Sequence, residues 1–180
     1  MSIASFVLTC ALDLLGRSAA QLPPIILVAT PPPDASGHAI GFVRSGQRAI
    51  YLIESSAQFQ AAVQSNRARQ GCRNLDQLRY VASVLVHEEW HLAHGPDEQG
   101  AYYAQLTELQ RLGAGPGRWP YEIVRRAMAV TRERDAARLR DARQIAARAA
   151  PNANPRAASA SDRLWPSAAP EPSRLSIPPR

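Results

Sequence analysis

The sequence predicts an α+β fold: a small β-sheet packed against one long helix, with further helices around it and a disordered C-terminal tail. Two observations predict it. Three short apolar runs in the first third, bounded by Pro, Gly and Ser, read as strands. After residue 54, apolar residues recur at helical spacing in several longer segments. A chain of 180 residues is long enough for one compact domain with a real core.

The elements follow in order. The N-terminal apolar run Ile3 to Leu15 belongs to an amphipathic helix, outlined by Ile3, Phe6, Val7, Cys10, Leu14 and Arg17, that docks on the core. The run lacks a positively charged start and is interrupted by Asp13, so it does not read as an export signal, and it is too short to span a membrane. Ile25 to Thr30 reads as a strand ended by Pro31-Pro32-Pro33. Residues 39–44 and 48–53 form a hairpin turning at Ser45-Gly46-Gln47, and the second arm is almost wholly apolar, as in a strand covered on both faces. His38, in the Pro- and Gly-rich loop before it, reads as exposed. Residues 55–70 are helical and broken at Gln70-Gly71-Cys72.

Leu78, Val81, Ala82, Leu85 and Val86 then mark a mostly buried helix over about 75–94, with Asn74 or Asp76 to cap it and Gly95-Pro96 to stop it. A second helical pattern opens at Asp97-Glu98. Gly113 to Gly117 is a loop, after which Trp119, Ile123, Ala127 and Val130 continue as one apolar stripe. Beyond Thr131 the stripe thins into Arg- and Ala-rich sequence. The expected organisation is a compact domain over 1–135, a helical extension over 136–150 and a disordered Pro/Ser/Ala/Arg-rich tail over 151–180.

The chemistry sits in the long helix, as His87-Glu88-Glu89-Trp90-His91. Positions four apart on a helix lie one turn above each other, so both imidazoles leave one face and can close on one Zn²⁺, with Glu88 in reach of a water as general base. A catalytic zinc needs a third protein ligand and an open position. The short Gly-Pro break lets Glu98 return beside His87 and His91 from an antiparallel second helix. His94 competes with it, although three ligands over seven helical residues stretch across about 10 Å of rise, which only a bent helix end would shorten. Tyr102 and Gln105 share the face of Glu98, Tyr102 as a stabiliser of developing oxyanion charge and Gln105 as a brace. Tyr103, Trp90 and Trp119 read as packing residues, and Asp97 as a cap or brace.

His87-Glu88-x-x-His91 followed by Glu98-x-x-Ala101-Tyr102 resembles the active-site helix pair of the gluzincin-type zinc metallopeptidases, particularly their small, minimal members. The resemblance covers about residues 48–112 and is specific at the helix pair. It implies a zincin-like fold, Zn²⁺ held by His87, His91 and Glu98, Glu88 activating water to hydrolyse peptide bonds, and a hairpin strand that binds the backbone of a peptide or protein substrate. Glu89 departs from the pattern, since the family usually has uncharged residues there.

Charge is placed unevenly. Residues 118–180 hold 13 arginines against six acids, and all 21 basic residues of the chain are arginine. This segment offers a surface for an acidic partner or nucleic acid, although the plainer expectation is a solvated helix and tail. Two further functions therefore compete with a zinc metallopeptidase: an Arg-rich nucleic-acid or protein-binding module, and an inactive zincin relative. Cys10 and Cys72 show neither metal-type spacing nor a disulfide framework, which fits a reducing compartment, and cytoplasmic residence without membrane contact is expected.

Overall fold

The long apolar stretch that carries the histidines is the axis of the molecule. In the computed structural model, which describes residues 2–33, 39–68 and 71–149, helix α3 spans Leu75–His94. Leu78, Val81, Ala82 and Leu85 recur every three or four residues and have no exposed surface. Burying each large aliphatic side chain is worth about 1.5–3 kcal/mol, so this face commits the helix to the core. Asn74 stands at the head of α3 with a left-handed φ of 51°. Its side chain donates to the Ser65 hydroxyl instead of capping, while its carbonyl accepts from the Gln77 and Leu78 amides. Asp76, in the first turn, binds Arg79 and Arg118, each at 3.0 Å.

Around α3 the other elements bury their apolar faces. Helix α1, Ile3–Leu15, begins where the Ser2 hydroxyl accepts from the Ser5 amide and ends at Gly16, whose φ is 66°. It lays Val7, Cys10, Ala11 and Leu15 against the core. Strands β1 (Ile25–Val28), β2 (Gly41–Val43) and β3 (Ile50–Ile53) form a mixed sheet in the order β1-β3-β2. Central β3 runs parallel to β1, with Ile25 opposite Ile50, and antiparallel to β2, with Gly41 opposite Leu52. The β2–β3 turn closes where the Gln47 amide donates to the Arg44 carbonyl. Ile50, Leu52 and Ile53 are buried, as the apolar composition of that arm requires. Helix α2, Ala57–Ser65, is shorter than the 55–70 expected.

Helix α4, Glu98–Arg111, runs beside α3, and helix α5, Trp119–Ala149, adds a second apolar cluster in which Val124 meets Leu109 and Ala114. The described residues thus hold a three-stranded mixed sheet and five α-helices, an α+β fold. The chain divides into a unit ending at Arg138, which holds the sheet and α1–α4, and one beginning at Leu139. His38 and the 151–180 tail lie outside the described residues. No helix among those described is long and apolar enough to cross a membrane.

The cysteines correct the sequence expectation. Cys10 of α1 and Cys72, just before α3, form a disulfide with Cα atoms 5.6 Å apart. The two positions are 62 residues apart, and nothing in that spacing signals pairing. The packing of α1 across α3 creates it. Asn66 holds the segment in place, accepting from the Arg73 amide at 2.7 Å and donating to the Arg73 carbonyl at 3.1 Å, next to Cys72. What the bond corrects is the expectation of two unpaired cysteines.

Candidate metal centre

Three residues, Gly95 to Asp97, connect α3 to α4. Gly95 leaves the helix at φ 80°, a left-handed conformation that suits glycine, while its amide still donates to the His91 carbonyl. Asp97 caps α4 by accepting from the Gly100 amide. Gly100 lies so close to α3 that a Cβ there would sit 2.6 Å from the Trp90 ring. That close approach folds α4 back along α3 and returns Glu98, in its first turn, to the motif histidines.

The result is a three-donor cluster. His87 Nε2 and His91 Nε2 are 3.2 Å apart, and Glu98 places Oε2 and Oε1 3.5 Å from His87 Nε2 and His91 Nε2 respectively. A tetrahedral ion with bonds of about 2.0–2.1 Å sets its donors about 3.3–3.4 Å apart, so the spacing fits a single metal ion. His91 Nδ1 lies 2.9 Å from the Gly95 carbonyl oxygen. A carbonyl only accepts, so that nitrogen carries the proton and the Nε2 lone pair faces the cluster. His87 is buried at 9% exposure, and its Nδ1 has no partner. His87, His91 and Glu98 could therefore hold a metal ion.

The electrostatics follow from burial and proximity. Hydrogen bonding with His87 holds the Glu98 carboxyl below its ordinary value against the opposing effect of burial, and the charge of His87 and His91, when they are protonated, and of Arg134 adds to this. Glu88 is buried at 6% exposure. Burial first, then the Glu98 charge, pushes its carboxyl up to about 8. Burial and Glu98 likewise raise Tyr102, opposed by Thr131 and Arg134, which leaves its hydroxyl protonated at neutral pH. The Tyr102 ring meets His87 edge-on at 4.8 Å between centroids.

The remaining predicted residues separate cleanly. His94 is outside the cluster, stacked on Trp90 at 3.9 Å and exposed. Glu89 forms an ion pair with Arg17 at 2.6 Å, so the unexpected charge in the motif is directed to the end of α1. Gln105 is buried and donates to Ser83 at 3.1 Å; it ties α4 to α3 without bonding a histidine. Trp119 packs on Tyr80, but Tyr103 is 68% exposed, correcting its expected packing role. It faces away because its neighbour Tyr102 takes the inward position.

Two contributors escape sequence reasoning. Gly41 of β2 lies where a Cβ would meet Val84 at 3.0 Å and Glu88 at 3.1 Å, so the strand rests directly on the Glu88 side chain. A lone glycine opening an apolar run gave no sign of this. Arg134 of α5, read as part of a solvated helix, faces the site. A cleft of about 1170 Å³ opens over the cluster, walled by the β2–β3 turn on one side and by Ile123, Ala127, Val130 and Arg134 of α5 on another.

Comparison with known proteins yields no matching family model, no matching curated protein and no matching solved structure.

Proposed function

We propose that the protein is a zinc-dependent peptidase. The observation that carries the reading is the spacing of the three donors, 3.2–3.5 Å, with a buried carboxylate one residue from the first of them. Two imidazoles and one carboxylate are the donor set of a catalytic zinc with an open position. Bound there, zinc would polarise a carbonyl and acidify a water.

The chain's own groups account for the remaining steps. Beside the positive charge of a bound zinc the Glu88 carboxyl is drawn back down from about 8 to its ionised form, and the carboxylate then accepts a proton as the water oxygen bonds to the scissile carbonyl carbon. As the carbon–nitrogen bond breaks, Glu88 returns that proton to the leaving amine. The protonated Tyr102 hydroxyl donates to the carbonyl oxygen as charge develops on it. β2 lies at the edge of the sheet, where no described strand pairs with its outer side, and an extended substrate backbone would add there over Glu88. The Cys10–Cys72 disulfide supports an oxidising compartment in preference to the cytoplasm.

The test is a pair of zinc-loaded proteins, wild type and Glu88→Gln, compared for metal content and for cleavage of a mixed peptide substrate. Glu88→Gln is expected to keep one zinc per chain and lose activity by about 10²–10⁴-fold. Equal cleavage by the two proteins would overturn the assignment of Glu88 as the base.

A further inference from the structure

The cleft over the metal centre has an uneven charge. Its described lining includes four arginines, Arg44 and Arg48 of the β2–β3 turn and Arg126 and Arg134 of α5, against two carboxylates, Glu88 and Glu98. Both carboxylates sit at the metal end, where Glu98 faces the imidazoles and Glu88 is buried. The ion pairs among the described residues engage Arg17, Arg79, Arg111, Arg118 and Arg125, and none of the four cleft arginines.

Two of the four are tied to the site by geometry. Arg44 lies over the stacked rings of Phe42 and Tyr51, 5.7 and 5.2 Å from their centroids. Cation–π contact holds its guanidinium beside the strand edge without consuming its hydrogen-bond donors. Arg134 lines the same cleft as Glu98 and Tyr102 from α5, and it is exposed and free to turn to a ligand. Between Arg126 and Arg134 of α5 the wall carries apolar Ala127 and Val130, with Ile123 before them. Val130 is 64% exposed, a large apolar residue left on an open surface. A cleft with guanidinium groups on both walls and apolar residues along the α5 wall matches an extended chain with carboxylates on either side of a hydrophobic residue.

We propose that this cleft takes an acidic peptide, its carboxylates held by Arg44 and Arg48 on the sheet side and by Arg126 and Arg134 on the helix side. The inference rests on the reading that peptide enters here and names the class of peptide. The carboxylates could be side chains or a chain terminus, and the two are distinguishable.

The experiment uses full-length, zinc-loaded protein and four versions of one fluorogenic peptide. Glu residues flanking the scissile bond are kept or replaced by Gln, and each version ends in a free carboxylate or an amide. The same peptides are titrated by fluorescence anisotropy against the Glu88→Gln protein, which reads binding without turnover. The Glu peptides are expected to exceed the Gln peptides by about tenfold or more in kcat/KM and in affinity. That advantage should shrink as salt rises. Arg134→Glu should invert it in favour of a Lys-substituted peptide. An advantage that survives amidation identifies side-chain carboxylates; one that follows the free terminus identifies chain ends. Cleavage of Glu and Gln peptides at equal rates in both forms would overturn the inference and leave the peptidase reading standing. Salt-sensitive, acid-selective binding without cleavage of any peptide would sustain the inference and overturn the peptidase.

Discussion

Glu88 is placed by a residue with no side chain. Because β2 crosses α3 so closely at Gly41 that a Cβ would lie only 3.0–3.1 Å from Val84 and Glu88, a methyl group there must push one of them aside. Gly41→Ala is expected to keep its metal and lower kcat by about tenfold or more, since small displacements of a catalytic group are costly. Metal analysis beside a kcat–KM comparison checks this, and loss of zinc would show that Gly41 supports the ligands instead. The three donors and Glu88 were readable in the sequence because helical spacing and a short break bring them together locally. Gly41 and Arg134 were not, because they reach the site through tertiary packing of a strand and a helix that the sequence does not order relative to α3.

At the scale of elements, α3 is clamped at its start. Asp76 binds Arg79 of its own helix and Arg118, which precedes α5, at 3.0 Å each. Its side chain is 17% exposed. Burial alone would raise the carboxyl, but the hydrogen bonds and charges of Arg118 and Arg79 outweigh it and hold the carboxyl below the ordinary 3.8. The pairing therefore stabilises the fold fully above pH 4 and is lost as pH falls through the depressed value. Asp76→Asn should cost about 1–2 kcal/mol near neutrality by denaturant titration, and less as the medium approaches pH 2. A pH-independent difference would show that the ion pairs are not its origin. The extent of α3 was legible from its apolar spacing and the Gly95-Pro96 stop, although Asn74 does not cap it as expected. That of α2 was not, because its polar C-terminal residues lack a periodic face to mark the end.

For the whole molecule, the disulfide is the main departure from expectation. Closing a 62-residue separation lowers the entropy of the unfolded chain by an amount worth about 4 kcal/mol in the chain-entropy treatment. Cys72→Ser, or reduction, should lower thermal stability accordingly, as measured by calorimetry with and without dithiothreitol; an unchanged Tm would show that the bond carries no such weight. The overall class was readable because strand and helix patterns occupy separate stretches of the chain. The pairing of Cys10 with Cys72 was hidden because two cysteines reveal a partnership only once the helices that bear them are packed.

The ring closed by that bond contains β1, β2, β3 and α2, whereas α3 and α4, with all three metal donors, lie beyond it in the chain. One covalent link thus ties down the strands proposed to hold the substrate backbone, while the metal donors stand outside the ring. Mild reduction should loosen the first before the second, so that KM climbs while the metal stays in place and the reactive groups wait, intact, beside a rail that no longer holds still.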